Sequence, residues 1–150
     1  MQQADKFSIT LPYTPFAVPA GRDGTTLVNL TPNATRRTAY STSTYRRRLE
    51  AQARNQVKQD TEMLLRSVIG RTEGPYFAPP GGAVVLDIKL TFEVTRKRDR
   101  DNIIGGLKEV QDTISEYIRI DDSKFVTRDV VWEKGPSETT TIEVAYELSG

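Results

Sequence analysis

The chain has 150 residues and contains neither histidine nor cysteine. Catalysis by an imidazole base or a thiolate nucleophile is therefore excluded. Disulfides and thiolate zinc sites are excluded too, and a reducing cytoplasm is the expected setting. No apolar run approaches the roughly eighteen residues of a membrane-spanning helix, so no membrane partner is expected. Residues Met1 to Asp5 show neither the basic nor the apolar region of a secretory signal. With 37% hydrophobic and 27% charged residues, the composition is that of a folded globular protein and not of a disordered one. The length predicts one domain over residues 1–150 with a modest core.

A net charge of +1 excludes a globally basic protein that coats nucleic acid. The distribution is less even. Residues 1–60 carry nine Lys/Arg and four Asp/Glu, whereas residues 61–150 carry twelve and sixteen. A basic half and an acidic half suit one nuclease, because acids that hold cations do not repel phosphate as free acids would.

Alternating Phe7, Ile9 and Leu11 predict a strand over Lys6 to Tyr13, stopped by Pro12 and Pro15. Residues 14–41 are rich in Pro, Gly, Asn and Thr and read as a long loop, with a short hairpin around Thr25 to Leu30. Thr42 or Ser43 caps a predicted helix that runs to Ile69 and stops at Gly70. Its apolar stripe is Tyr45, Leu49, Ala53, Val57, Leu64 and Val68. Arg47, Arg54 and Lys58 lie on the opposite face, either as a solvated surface or as a track for phosphates. The segment from Gly74 to Gly82 is a turn-rich connector. Ala83 to Thr95 alternates as a half-buried strand. A second helix is predicted over Asn102 to Ile118. Phe125 to Glu133 and Thr139 to Leu148 then read as a closing pair of strands. The whole predicts an α+β domain: a mixed sheet, two principal helices and an acidic site at one end of the sheet.

Residues 96–124 carry the chemistry. Asp99 and Asp101 lie two apart at a strand's end, so continued extension would aim both carboxylates to one side. Asp101 or Asn102 then caps a helix whose N-terminal N–H groups favour anions. Ile103, Ile104, Leu107, Val110, Ile114 and Ile118 form its apolar face. Asp101, Gly105, Lys108 and Asp112 recur on the other. Two successive glycines inside a helix call for a close approach, by a phosphate or by another backbone. A strand starting after Asp121-Asp122 would bring these acids beside Asp99 and Asp101 if it ran along Ala83 to Thr95. Taken singly, Asp-x-Asp is often only a cap and Asp-Asp only a turn. Together the carboxylates suit Mg²⁺ or Mn²⁺, and a lysine beside them suits a phosphate.

Arg98-Asp99-Arg100-Asp101-Asn102, Lys108-Glu109-Val110-Gln111-Asp112 and Ile120-Asp121-Asp122-Ser123-Lys124 resemble the signature of the RusA-type Holliday junction resolvases. The resemblance is strongest from Arg98 to Val126, about a fifth of the chain. It extends to the opening strand and the closing strands. It implies a RusA-like fold and a Mg²⁺-dependent endodeoxyribonuclease, with Mn²⁺ as a substitute and no organic cofactor. By position, the family's metal-binding acids fall on Asp99, Asp101 and Asp122, with Asp121 adjacent, and its essential lysine falls on Lys108. In one member of the family the lysine follows the second aspartate three residues more closely, and the aspartate after it shifts equally. By that resemblance, Gly105-Gly106 looks like part of a three-residue insertion. The Ser-Asn that often follows the early proline is absent, since Pro15 precedes Phe16-Ala17-Val18.

Arg96, Lys97, Arg98 and Arg100, with Arg47, Arg54, Lys58 and Lys124, are the expected DNA contacts. A four-way junction has two equivalent strands to cut, so a two-fold homodimer is expected. The helix from Tyr45 to Val68 and the glycine pair are its candidate interface. Two alternatives stay open: another branched-DNA nuclease of this fold, acting on flaps or forks, and a non-catalytic DNA-binding protein whose acids are caps.

Overall fold

The computed structural model describes residues 6–39, 44–70, 82–94 and 98–148. Arg96, Lys97, the cap at Thr42 or Ser43, and connector residues 74–81 lie outside the described residues.

The opening strand, β1 (Lys6–Leu11), buries Phe7, Ile9 and Leu11 and exposes the residues between them, as alternation requires. The predicted loop after it has structure of its own. Strands β2 (Val18–Ala20) and β3 (Thr26–Val28) form a small antiparallel hairpin. Helix α1 (Pro32–Ala39) follows. Pro32 opens that helix, where its missing N–H costs nothing. The expected hairpin around Thr25 to Leu30 forms a little earlier in the chain, with Thr26–Val28 as its second strand, whereas the run of turn-forming residues had masked the helix.

Helix α2 spans Thr44–Ile69. Gly70 ends it at φ 70°, and its N–H bonds to the Arg66 carbonyl. The stripe that it buries is shifted from the predicted one: Glu50, Ala53, Val57, Thr61 and Leu65. Leu49 and Leu64 are partly buried, while Tyr45 is 64% and Val68 48% exposed. Both exposed residues lie next to the ends of the helix.

Strand β4 (Gly82–Phe92) is followed by α3 (Arg100–Gly106), α4 (Lys108–Ile118), a 3₁₀ turn (Asp122–Lys124), β5 (Phe125–Lys134) and β6 (Thr139–Leu148). The four long strands form one mixed sheet in the order β1-β6-β4-β5. β5 runs parallel to β4, with Val84 opposite Phe125 and Phe92 opposite Lys134. Parallel neighbours need a crossover, and α3 and α4 supply it. β5 and β6 are not paired with each other, contrary to the predicted closing pair, because β4 lies between them. The turn joining them passes over the end of β4. There Gly135 N–H bonds to the Phe92 carbonyl at 2.8 Å, and a Cβ on Gly135 would overlap Thr91.

One face of the sheet builds the core. Val84, Leu86, Ile88, Leu90, Phe92, Ile142 and Val144 pack with Ala53, Val57 and Leu65 of α2 and Ile103, Leu107, Val110, Ile114 and Ile118 of α3 and α4. The other face is charged. Arg128 holds Asp87 at 2.6 Å and Glu147 at 3.1 Å, and Lys89 holds Glu133 at 2.9 Å. No helix among the described residues is long and apolar enough to cross a membrane.

Candidate functional site

The predicted second helix is two helices. At Leu107 the backbone turns to φ −99° and ψ 15°, and its N–H bonds to Ile104 and Gly105 carbonyls. The polar ridge expected from Asp101 to Asp112 is therefore interrupted. Asp101 and Gly105 belong to α3, while Lys108 and Asp112 share a face of α4 four residues apart. Lys108 is the first residue of α4 and is exposed.

The glycine pair faces the chain's own N-terminal region. A Cβ on Gly105 would overlap Pro32, and one on Gly106 would lie 2.9 Å from Pro15 Cβ. Close approach is the reason for these glycines, and the approaching group is this protein.

Asp99 caps α3. Its Oδ1 accepts from the Asp101 N–H at 2.9 Å, with φ −107° and ψ 124° at the cap. Asp101 lies in the first helical turn and not in an extended segment, so the two carboxylates are not set side by side by strand geometry. Both are exposed or nearly so. Asn102 Oδ1 accepts from the Asn33 N–H at 3.0 Å and ties α3 to α1.

Asp121 caps the 3₁₀ turn, accepting from the Ser123 N–H at 2.8 Å. That bond holds its carboxyl below the usual range, with help from the Lys124 charge. Asp122 behaves oppositely. Its carboxyl is raised, first by desolvation and then by Asp121 and Asp112 beside it. Asp112 was part of the sequence signature but was not among the expected site residues. Its spacing of four from Lys108 was the signal that pointed to it.

Arg100 joins the two acidic segments. Its Nη2 donates to the Thr127 carbonyl at 3.2 Å, so the start of α3 is tied to the start of β5. Among the described residues, however, no three Asp or Glu side chains converge as a ready metal site. Asp122 is exposed, and turning it between staggered rotamers costs little.

Among the described residues, the expected DNA-binding cations divide into three groups. Arg47, Arg100 and Lys124 are exposed. Arg54 and Lys58 instead meet Glu109 of α4, each at 3.7 Å, and so bridge the two helices. Arg98 is stacked between rings, its guanidinium 4.6 Å from the Phe16 centroid and 4.2 Å from that of Phe92. A cavity of about 280 Å³ opens beside this stack, lined also by Asn29, Glu93 and Glu138. From the sequence, Arg98 is expected as a DNA contact, because nothing there links Phe16 to Phe92.

No protein-family model matches the chain, and no curated protein matches it. Among solved structures, the chain is similar to the crystal structure of 2C-methyl-D-erythritol 2,4-cyclodiphosphate synthase from Plasmodium vivax. The TM-score is 0.26 at 15% identity, over 63% of this chain and 54% of that one. A CDP-bound form of 2C-methyl-D-erythritol-2,4-cyclodiphosphate synthase is similar at TM-score 0.25 and 10% identity, over 67% and 57%. This chain thus spans little more than half of either structure. Likeness at this level carries no argument about fold or chemistry.

Proposed function

We propose that the protein is a RusA-like, Mg²⁺-dependent endodeoxyribonuclease that hydrolyses branched DNA, with the Holliday junction as its substrate. The observation that carries this reading is that α3 and β5 start side by side, with Arg100 Nη2 bonded to the Thr127 carbonyl at 3.2 Å, so that the segment of Asp99 and Asp101 adjoins that of Asp121 and Asp122. Among these acids the Asp122 carboxyl is raised, first by desolvation and then by Asp121 and Asp112. Like charges so placed repel one another, and a hard divalent cation relieves that repulsion.

The donor set fits such an ion in kind, since every group is a carboxylate oxygen. Asp99, Asp101, Asp121 and Asp122 are exposed and would hold it only after their side chains turn toward one another, with Asp112 beside them. Mg²⁺ or Mn²⁺, when bound, would supply Lewis-acid charge at a phosphate. Lys108, exposed and one helical turn from Asp112, would place an ammonium against the negative charge that grows on that phosphate. Arg47, Arg100 and Lys124 would hold flanking phosphates. The substrate's two-fold symmetry suits a homodimer.

A second reading is a DNA-binding protein without catalysis. It is favoured by the capping bonds of Asp99 and Asp121, at 2.9 and 2.8 Å. Incubating the protein with a mobile four-way junction, a flap and a linear duplex, with and without Mg²⁺ or Mn²⁺, separates these readings. Metal-dependent cleavage of the junction ahead of the duplex is expected. Preferred cutting of the flap would make it a flap processor. Metal-independent binding with no cleavage would leave the acids as caps.

A further inference from the structure

β5 is an end strand of the sheet, and its outer edge is paired with no strand among the described residues. Such an edge is a template for another strand. β5 also carries a bulge. The register steps from Leu86 opposite Thr127 to Asp87 opposite Asp129, so Arg128 is the extra residue.

The bulge changes which residues share a face. Before it, Val126 and Arg128 point to the open face of the sheet. After it, Asp129, Val131 and Glu133 do so, beside Asp87, Lys89 and Thr91. Phe125, Thr127, Val130 and Trp132 point to the core side and are half-buried. From Phe125 to Trp132, exposure therefore reads the same in both directions about the point between Arg128 and Asp129.

We propose that two copies of this chain dimerise through antiparallel pairing of their β5 edges, with the two-fold axis passing between Arg128 and Asp129. Directly opposite residues in an antiparallel pair share a face. In a regular strand this register would set core-side residues against open-face ones. The bulge corrects it. Val126 then meets the partner's Val131, and these are 50% and 52% exposed in the single chain. Phe125 meets the partner's Trp132, and Thr127 its Val130. Arg128 meets the partner's Asp129, and Lys124 its Glu133. No like charges face each other in this register, and each opposite pair occurs twice. Lys89 meets Glu133 through Oε1 at 2.9 Å, and a carboxylate accepts more than one such bond. Thr127 O already accepts from Arg100 at 3.2 Å, and a carbonyl has a second lone pair.

This names the interface of the dimer in the nuclease reading. The two Asp121-Asp122 pairs would stand at opposite ends of the joined strands, roughly 30 Å or more apart at about 3.3 Å per residue. The test reads mass and not cleavage, so the two readings fail separately.

Val131 is open to solvent, so either charge placed there leaves the chain folded, as circular dichroism would verify. In the proposed pairing, position 131 lies diagonal to Lys124 and Arg128 of the partner copy. Light scattering across micromolar concentrations should find a dimer for the parent chain and for Val131→Glu. Val131→Lys should dissociate at least tenfold more readily. Val126→Cys and Val131→Cys chains should become disulfide-linked when mixed and oxidised, far more than either alone. The parent chain has no cysteine to confuse that result. A monomeric parent, equal weakening by Lys and Glu, or self-linking as efficient as mixed linking would each overturn the proposal.

Discussion

Gly106 of α3 lies against Pro15, so closely that a Cβ would stand 2.9 Å from the proline's own Cβ. Helix propensity alone favours Gly→Ala by about 0.8–1 kcal/mol. Here the buried contact outweighs it. Gly106→Ala should lose about 1–3 kcal/mol by overpacking. Urea denaturation measures this directly. A stabilised variant would show that Pro15 moves aside freely.

Lys108→Ala separates the two readings of the site. The side chain is exposed, so stability should change by less than about 1 kcal/mol. If the ammonium meets the transition state, single-turnover cleavage of a junction should fall about a hundred- to a thousand-fold. A rate within about threefold of the parent would leave Lys108 a solvated charge.

Asp122→Asn should stabilise the protein while disabling it. A raised native pKa means that protonation favours the fold. Its contribution is fully present below the unfolded value, near 3.9, and is lost as pH rises through the native value. At neutral pH and without metal, the parent therefore carries an unfavourable charge that asparagine lacks. The melting temperature in EDTA at pH 7 should rise, while junction binding persists and cleavage is lost. Isothermal titration with Mn²⁺ should show weakened metal binding. An unchanged or lower melting temperature would deny the crowding.

The Arg128 fork makes the opposite prediction for Asp87. Hydrogen bonds from the guanidinium lower the Asp87 carboxyl, and its charge adds to the effect. A depressed native pKa gives stability that is present above about 3.9 and lost as pH falls through the lower native value. Asp87→Asn should therefore reduce the loss of stability between neutral pH and acid. Parallel acid titrations of both proteins, followed by tryptophan fluorescence, check this. Identical slopes would show that the fork adds nothing in solution.

The sequence by itself determined the strands of the main sheet and the long helix, because alternation and helical periodicity are local properties. Phe7, Ile9 and Leu11 mark one strand, and Leu86, Ile88 and Leu90 mark another. It also placed the acids at helix and turn starts. What it could not carry was adjacency. Two strands close in the chain, β5 and β6, were separated by β4, since the better-buried β4 takes the centre of the sheet. The glycine pair before the break at Leu107 lies against Pro15, Thr31 and Pro32, which are far away in the chain. The stripe on α2 shifted to the surface that β1, β2 and α4 present to it. Asp112 reached Asp122 only because α4 returns the chain to the start of β5. Local periodicity decides which residues are apolar together, but packing decides which polar groups must meet.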